Sequence, residues 1–176
     1  MTSRRAGKGP GRRSRAATRA GSGRGLRVAI AASRFNEGIT EQLVTAALGT
    51  LAAHGVDRRT VRVVRVPGAF ELPLAAQWLC RDGRVDAVIC LGAVIRGGTP
   101  HFECIARAVS EGIMNVALTE GRPIVFGVLT TETVEQAEER ADPAGLNRGA
   151  EAARTAIEMA LLAKQFAQKE SRGSAS

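Results

Sequence analysis

The stretch VDAVICLGAVIRGGTPHFE, Val85 to Glu103, decides the fold. Its apolar residues do not alternate with polar ones, which marks a strand covered on both faces, and it stops at Arg96-Gly97-Gly98-Thr99-Pro100 before His101, one of two histidines in the chain. Outward from it the pattern repeats. LRVAIAA (26–32), VRVVRV (61–66) and PIVFGVLT (123–130) read as three further strands of the same kind.

Between the strands the apolar period lengthens to that of a helix. Leu43, Val44, Ala47, Leu48 and Leu51 share one face that ends at Gly55, and Leu72, Ala75, Ala76 and Leu79 share another that closes near Gly83. After Pro100, a residue suited to a helix start, the stripe is Phe102, Ile105, Ala106, Val109, Ile113, Val116 and Ala117. Two more helices are predicted over 132–141 and 148–166, the last with Ala153, Ala156, Ile157, Ala160 and Leu161 on one side. Doubly buried strands alternating with helices require a parallel sheet with crossovers on both faces. The expected fold class is therefore α/β, a three-layer αβα sandwich around a four-stranded parallel sheet, flavodoxin-like.

A chain of 176 residues with 44% hydrophobic residues has room for one core. Its net charge of +8 is concentrated in residues 1–25, which hold eight of the 25 Lys and Arg and no acid, so the remaining 17 bases match the 17 acids. That segment lacks apolar residues to bury and is expected to be a disordered basic tail, with residues 26–168 as the folded domain and 169–176 as a flexible C-terminus. Arg- and Ser-rich composition leaves open an organellar leader or an RNA contact, and a solvated extension on a cytoplasmic protein is the reading preferred. No apolar run is long enough to span a membrane. Cys80, Cys90 and Cys104 fit no zinc or redox spacing and are expected to be reduced and buried. A Cys104–His101 nucleophile pair is the alternative to a helix-interior thiol.

Ligands of an open parallel sheet bind at the strands' carboxyl ends. On that edge the chain places Phe35, Gly68 to Glu71, Arg96 to His101 and Phe126 to Thr130. Gly97-Gly98-Thr99 before a helix suits a small phosphorylated ligand and matches neither nucleotide-binding fingerprint. His101 beside it can move protons at neutral pH, and Phe35 in a polar loop suits stacking on a planar ring. Phe70 and Glu71 read either as ligand contacts or as a core ring and a helix-start carboxylate. His54, before Gly55, is expected to cap its helix.

RFNEGIT (34–40), VPGAFELP (66–73), GAVIRGGTPHFE (92–103), FGVLTTETVEQAEERA (126–141) and NRGAEAARTAIEM (147–159) together resemble the lumazine synthase family over residues 25 to 166. The resemblance implies condensation of 5-amino-6-ribitylaminouracil with 3,4-dihydroxy-2-butanone 4-phosphate to 6,7-dimethyl-8-ribityllumazine, with no metal or organic cofactor. It implies that Phe35 stacks on the pyrimidine and that Ala69, Phe70 and Glu71 line the ribityl and pyrimidine pocket. Ala93, Val94 and Ile95 would offer main-chain contacts, Gly98 and Thr99 would hold phosphate, and His101 would transfer protons. Phe126 and Arg140 would complete the site of a neighbouring subunit, which implies a homo-oligomer of pentamers, with an icosahedral shell as its larger form and riboflavin synthase as a partner. Arg148, counted with the substrate-binding residues, stands where the family commonly has lysine, and Ala141 to Leu146 lacks the usual shell-forming turn. A flavin- or lumazine-storage protein and a tail-driven nucleic-acid binder are the rival readings.

Overall fold

The computed structural model describes residues 22–173. Four strands, β1 (Val28–Ser33), β2 (Arg62–Val66), β3 (Ala87–Ile95) and β4 (Ile124–Thr131), pair in the order β2-β1-β3-β4, and every pairing is parallel. Helices α1 (Glu37–Ala53), α2 (Leu72–Arg81), α3 (His101–Glu120), α4 (Val134–Ala141) and α5 (Arg148–Gly173) return the chain between them. Successive strand residues point to opposite faces. Val28, Ile30 and Ala32 of β1 and Ala87, Ile89, Leu91 and Ala93 of β3 therefore pack on α1, α4 and α5, while Ala29, Ala31, Val88, Cys90 and Val94 pack on α2 and α3. The three-layer sandwich is as the periodicities require.

The two helical layers are unequal. Of the Leu and Ile side chains with almost no exposure, Ile30, Leu43, Leu51, Ile89, Leu91 and Ile157 lie on the α1/α5 side and Leu72 alone on the other. Each contributes about 1.5–3 kcal/mol by burial, so most large-residue stabilisation comes from one face. α3 buries only Val109 and Ile113; Val116 and Ala117, expected inside, are half-buried, and Met114 and Leu118 are exposed.

Three local expectations change. Ser22 to Gly25, assigned to the tail, form a turn in which Gly23 N–H donates to the His54 carbonyl (2.8 Å); the rest of the tail lies outside the described residues. α5 runs through Gly173, because no proline or glycine interrupts it after residue 149. Cys80 and Cys90 are buried as expected, but Cys104 is exposed, since the first turns of α3 lie over the sheet edge with one side open. His54 does cap α1, its ring Nδ1 lying 2.8 Å from the Thr50 carbonyl.

At the amino edge of the sheet, buried Asp86 accepts the Arg27 N–H (2.7 Å) and faces Lys164 of α5 (3.3 Å). α1 and α5 are in close backbone contact at Gly149, where a Cβ would lie 2.3 Å from the Leu43 carbonyl oxygen. Gly149→Ala should thus force two backbones apart and cost about 1–3 kcal/mol. Gly49, within α1, has room on its open side, with no atom within 4 Å of where a methyl would sit, and Gly49→Ala should stabilise by up to about 1 kcal/mol. Denaturation midpoints of the two variants, expected to move in opposite directions, check this.

Candidate active site

The strand order reverses between β1 and β3, since β2 extends the sheet on one side and β4 on the other. A crevice must open between the connections leaving the carboxyl ends of β1 and β3, because those connections depart to opposite faces. There lies a cleft of about 350 Å³, lined by Phe35, Gly68, Ala69, Phe70, Ala93, Val94, Ile95, Gly97, Thr99, His101, Phe102 and Ile105.

The loop after β1 is built to present Phe35. Arg34 and Phe35 N–H groups donate to the carbonyls of Val66 (2.8 Å) and Pro67 (3.1 Å), and Ser33 Oγ donates to the Phe35 carbonyl (3.2 Å). Asn36 then adopts a left-handed conformation (φ 57°), which asparagine tolerates better than most residues, and its Nδ2 donates to the Ala93 carbonyl at 2.8 Å. One amide thus joins the aromatic loop to the end of β3. Phe35 is left 71% exposed and Phe70 59%, two rings whose available apolar partner is whatever enters the cleft.

Beyond β3 the chain turns through Gly97 to Thr99, all exposed, into the first turn of α3 at His101. The N–H groups of that turn and the positive end of the helix dipole favour an anion beside Thr99. His101 is exposed on the cleft wall and makes no side-chain hydrogen bond among the described residues, so its ring nitrogens are open to a ligand. Arg96 pairs with Glu103 and Glu132, and the guanidinium holds the Glu103 carboxyl below its ordinary range. Cys104 does not line the cleft, and burial pushes the Cys80 thiol up to about 11 and raises that of Cys90 as well, so none of the thiols is placed as a nucleophile there.

The structure therefore gathers Phe35, Ala69, Phe70, Ala93, Val94, Ile95, Thr99 and His101 in one cleft. Gly98 lies between two lining residues without lining it. Glu71 stands outside the wall, where its Oε2 accepts the Gly68 N–H (2.9 Å) and fixes the turn that carries Ala69 and Phe70. Phe126, Arg140 and Arg148 lie elsewhere, in a trough of about 840 Å³ along the β4 edge that also includes Met114, Leu118 and Phe166. Arg140 donates to the Gln136 carbonyl of its own helix (2.9 Å), and Arg148 pairs with Glu151. Asn36 and Arg96 were given no role from sequence. The asparagine following an aromatic at a strand end is the one signal that could have marked the former.

Fold and cleft together define an α/β protein with a ligand-sized cleft, walled by two exposed aromatic rings and a histidine, at the carboxyl edge of a parallel sheet. The model of the 6,7-dimethyl-8-ribityllumazine synthase family matches residues 25–164. A protein of that name from Syntrophus aciditrophicus (strain SB) is 54% identical over 143 residues, covering 81% of this chain and 93% of the relative. The chain belongs to the 6,7-dimethyl-8-ribityllumazine synthase family, transferases of riboflavin biosynthesis.

Asn36→Ala should lower stability by about 1–2 kcal/mol, combining the lost hydrogen bond with an alanine forced into the left-handed region. Asn36→Gly should recover the backbone part of that loss while leaving the Ala93 carbonyl without its amide partner. Denaturant titration of both variants separates the two terms.

Proposed function

We propose that the cleft between the β1 and β3 connections is where 5-amino-6-ribitylaminouracil and 3,4-dihydroxy-2-butanone 4-phosphate condense to 6,7-dimethyl-8-ribityllumazine, releasing phosphate and water. The observation that supports this reading best is the meeting of exposed Phe35 and Phe70, the open end of β3, the Gly97–Thr99 loop and His101 around one space. Phe35 stacks on the pyrimidine. The turn of Ala69 and Phe70, fixed by Glu71, takes the ribityl side, and main-chain groups of Ala93, Val94 and Ile95 meet the ring edge. Gly98 and Thr99 hold the butanone phosphate at the start of α3.

Condensing an amine with a ketone requires protons to be taken from nitrogen and delivered to the departing water, after which phosphate leaves as an anion. His101 performs the transfer, and the anion cradle accepts the charge. Orientation of two bound substrates on a rigid sheet edge supplies much of the remaining rate. His101→Ala should slow turnover by about 10²–10⁴-fold with KM for both substrates little changed. A variant equal to the parent at every pH would remove His101 from the mechanism.

The same reading makes the site shared. Phe126 and Arg140 lie in a trough that includes none of the cleft residues, so they serve a neighbour's cleft, with Arg140 and Arg148 reaching substrate there. The subunit carries exposed apolar side chains on two sides, Leu74 and Trp78 on α2 and Met159, Leu162 and Phe166 on α5, which is what a head-to-tail ring buries. A pentamer, cytoplasmic and feeding riboflavin synthase, is the assembly proposed. Dissociating His101→Ala and Arg140→Ala rings and reassembling them together should restore activity through intact composite sites. Verified mixed rings without recovery, or an active monomer, would overturn the shared site.

A further inference from the structure

We propose that Arg96 is a positioning residue for this reaction: its guanidinium, gripped by Glu103 and Glu132, sets where the Gly97–Thr99 loop and His101 stand. The inference rests on the proposed roles of that loop and of His101.

The loop cannot place itself. Among the described residues no hydrogen bond ties Gly97 to Thr99 to a neighbouring strand or loop, and a Cβ added at Gly97 or Gly98 would meet nothing within 4 Å. Two adjacent glycines with open space where a Cβ would sit have a wide range of backbone angles open to them. Whatever fixes Thr99 and His101 must act at the two ends of the loop.

Arg96 acts at both. Its N–H donates to the Thr131 carbonyl at 2.9 Å, which anchors the upstream end of the loop to β4. Its Nε then donates to Glu132, and its Nη1 to Glu103, two residues beyond His101. The guanidinium also lies over the Phe102 ring, 4.5 Å from the centroid. One side chain thus joins the end of β3, the β4–α4 junction and the first turn of α3. The junction is itself held: Glu132 N–H donates to Gln136 Oε1 (3.0 Å) and Thr131 Oγ1 to the Thr133 carbonyl (2.9 Å).

A partly exposed ion pair contributes little to stability, so the triad's effect lies in geometry. A planar fork offers two edges to two carboxylates, which a lysine ammonium cannot reproduce at both. Loss of Arg96 also leaves Glu103 and Glu132 unneutralised near the phosphate loop. Displacement of a reacting group by about 1 Å can cost on the order of 10²-fold in rate.

Steady-state kinetics with each substrate varied in turn, on full-length protein of verified parental particle mass and melting temperature, test the proposal. Arg96→Ala should lower kcat by about 10–100-fold and raise KM for the phosphorylated butanone about tenfold, with KM for the pyrimidine amine within about twofold of the parent. Arg96→Lys should restore most of that KM and little of kcat. Adding Glu103→Gln and Glu132→Gln to Arg96→Ala should likewise restore KM alone. Glu132→Gln, outside the cleft wall, should shift KM for the phosphorylated substrate in the same direction by about threefold, and it decides the matter if Arg96→Ala does not fold. All parameters within about twofold of the parent in the deciding variant, or full recovery of kcat by lysine, would overturn positioning by Arg96. His101→Ala, measured in parallel, separates the two readings. Its silence brings down the underlying site and this proposal together, whereas a slow His101→Ala with a silent Arg96→Ala brings down only the proposal.

Discussion

Parallel strands cannot be joined by tight turns, and every return in this chain has to cross a face of the sheet as a helix. That requirement fixes which edge collects the strand ends, and it sends the connections of β1 and β3 to opposite faces. The crevice between them needs no special residue to open it. What the sequence adds is chemistry at the rim, an aromatic on one connection and a glycine-rich loop with a histidine on the other.

Most of this was legible because the decisive residues carry their meaning locally. β3 announces itself by lacking alternation, and Gly97-Gly98 before a proline and a histidine cannot continue a strand. The connection residues Phe35, Thr99 and His101 then follow from strand direction alone. Glu71 is ambiguous for a physical reason: a carboxylate at a helix start serves a cap or a ligand equally well, and the 2.9 Å contact from the Gly68 N–H occupies one of its two oxygens. Asn36 and Arg96 were invisible because their partners, Ala93 and Glu132, are 57 and 36 residues away, beyond any local pattern. Cys104 and the outer half of α3 were misjudged inward because apolar spacing describes a stripe without saying whether a second layer covers it.

The inequality of the layers has a related origin. Most of the fully buried Leu and Ile lie on the α1/α5 face, whereas α2 and α3 meet the sheet through Leu72, Leu79 and Ile113 among smaller Ala, Val and Cys side chains and keep Trp78, Met114 and Leu118 outside. α3 is anchored chiefly by Val109 and Ile113, with Phe102 and Ile105 only partly buried, so its first turn, which brings His101 to the strand ends, has little apolar anchorage of its own. Rigidity at that turn then has to come from polar contacts, and the Arg96 triad is where they concentrate.

Asp86 gives the molecule a polarity of a different kind. By taking the Arg27 N–H and Lys164 on one carboxylate, it brings the start of β1 and the late turns of α5 to the same point on the amino edge. The six residues of β1 separate that point from the cleft by about 20 Å. Cargo, affinity handles or a reporter domain joined at either of these positions start from the rim opposite the cleft, and a short linker between the two positions would be enough to close residues 27–164 into a circle.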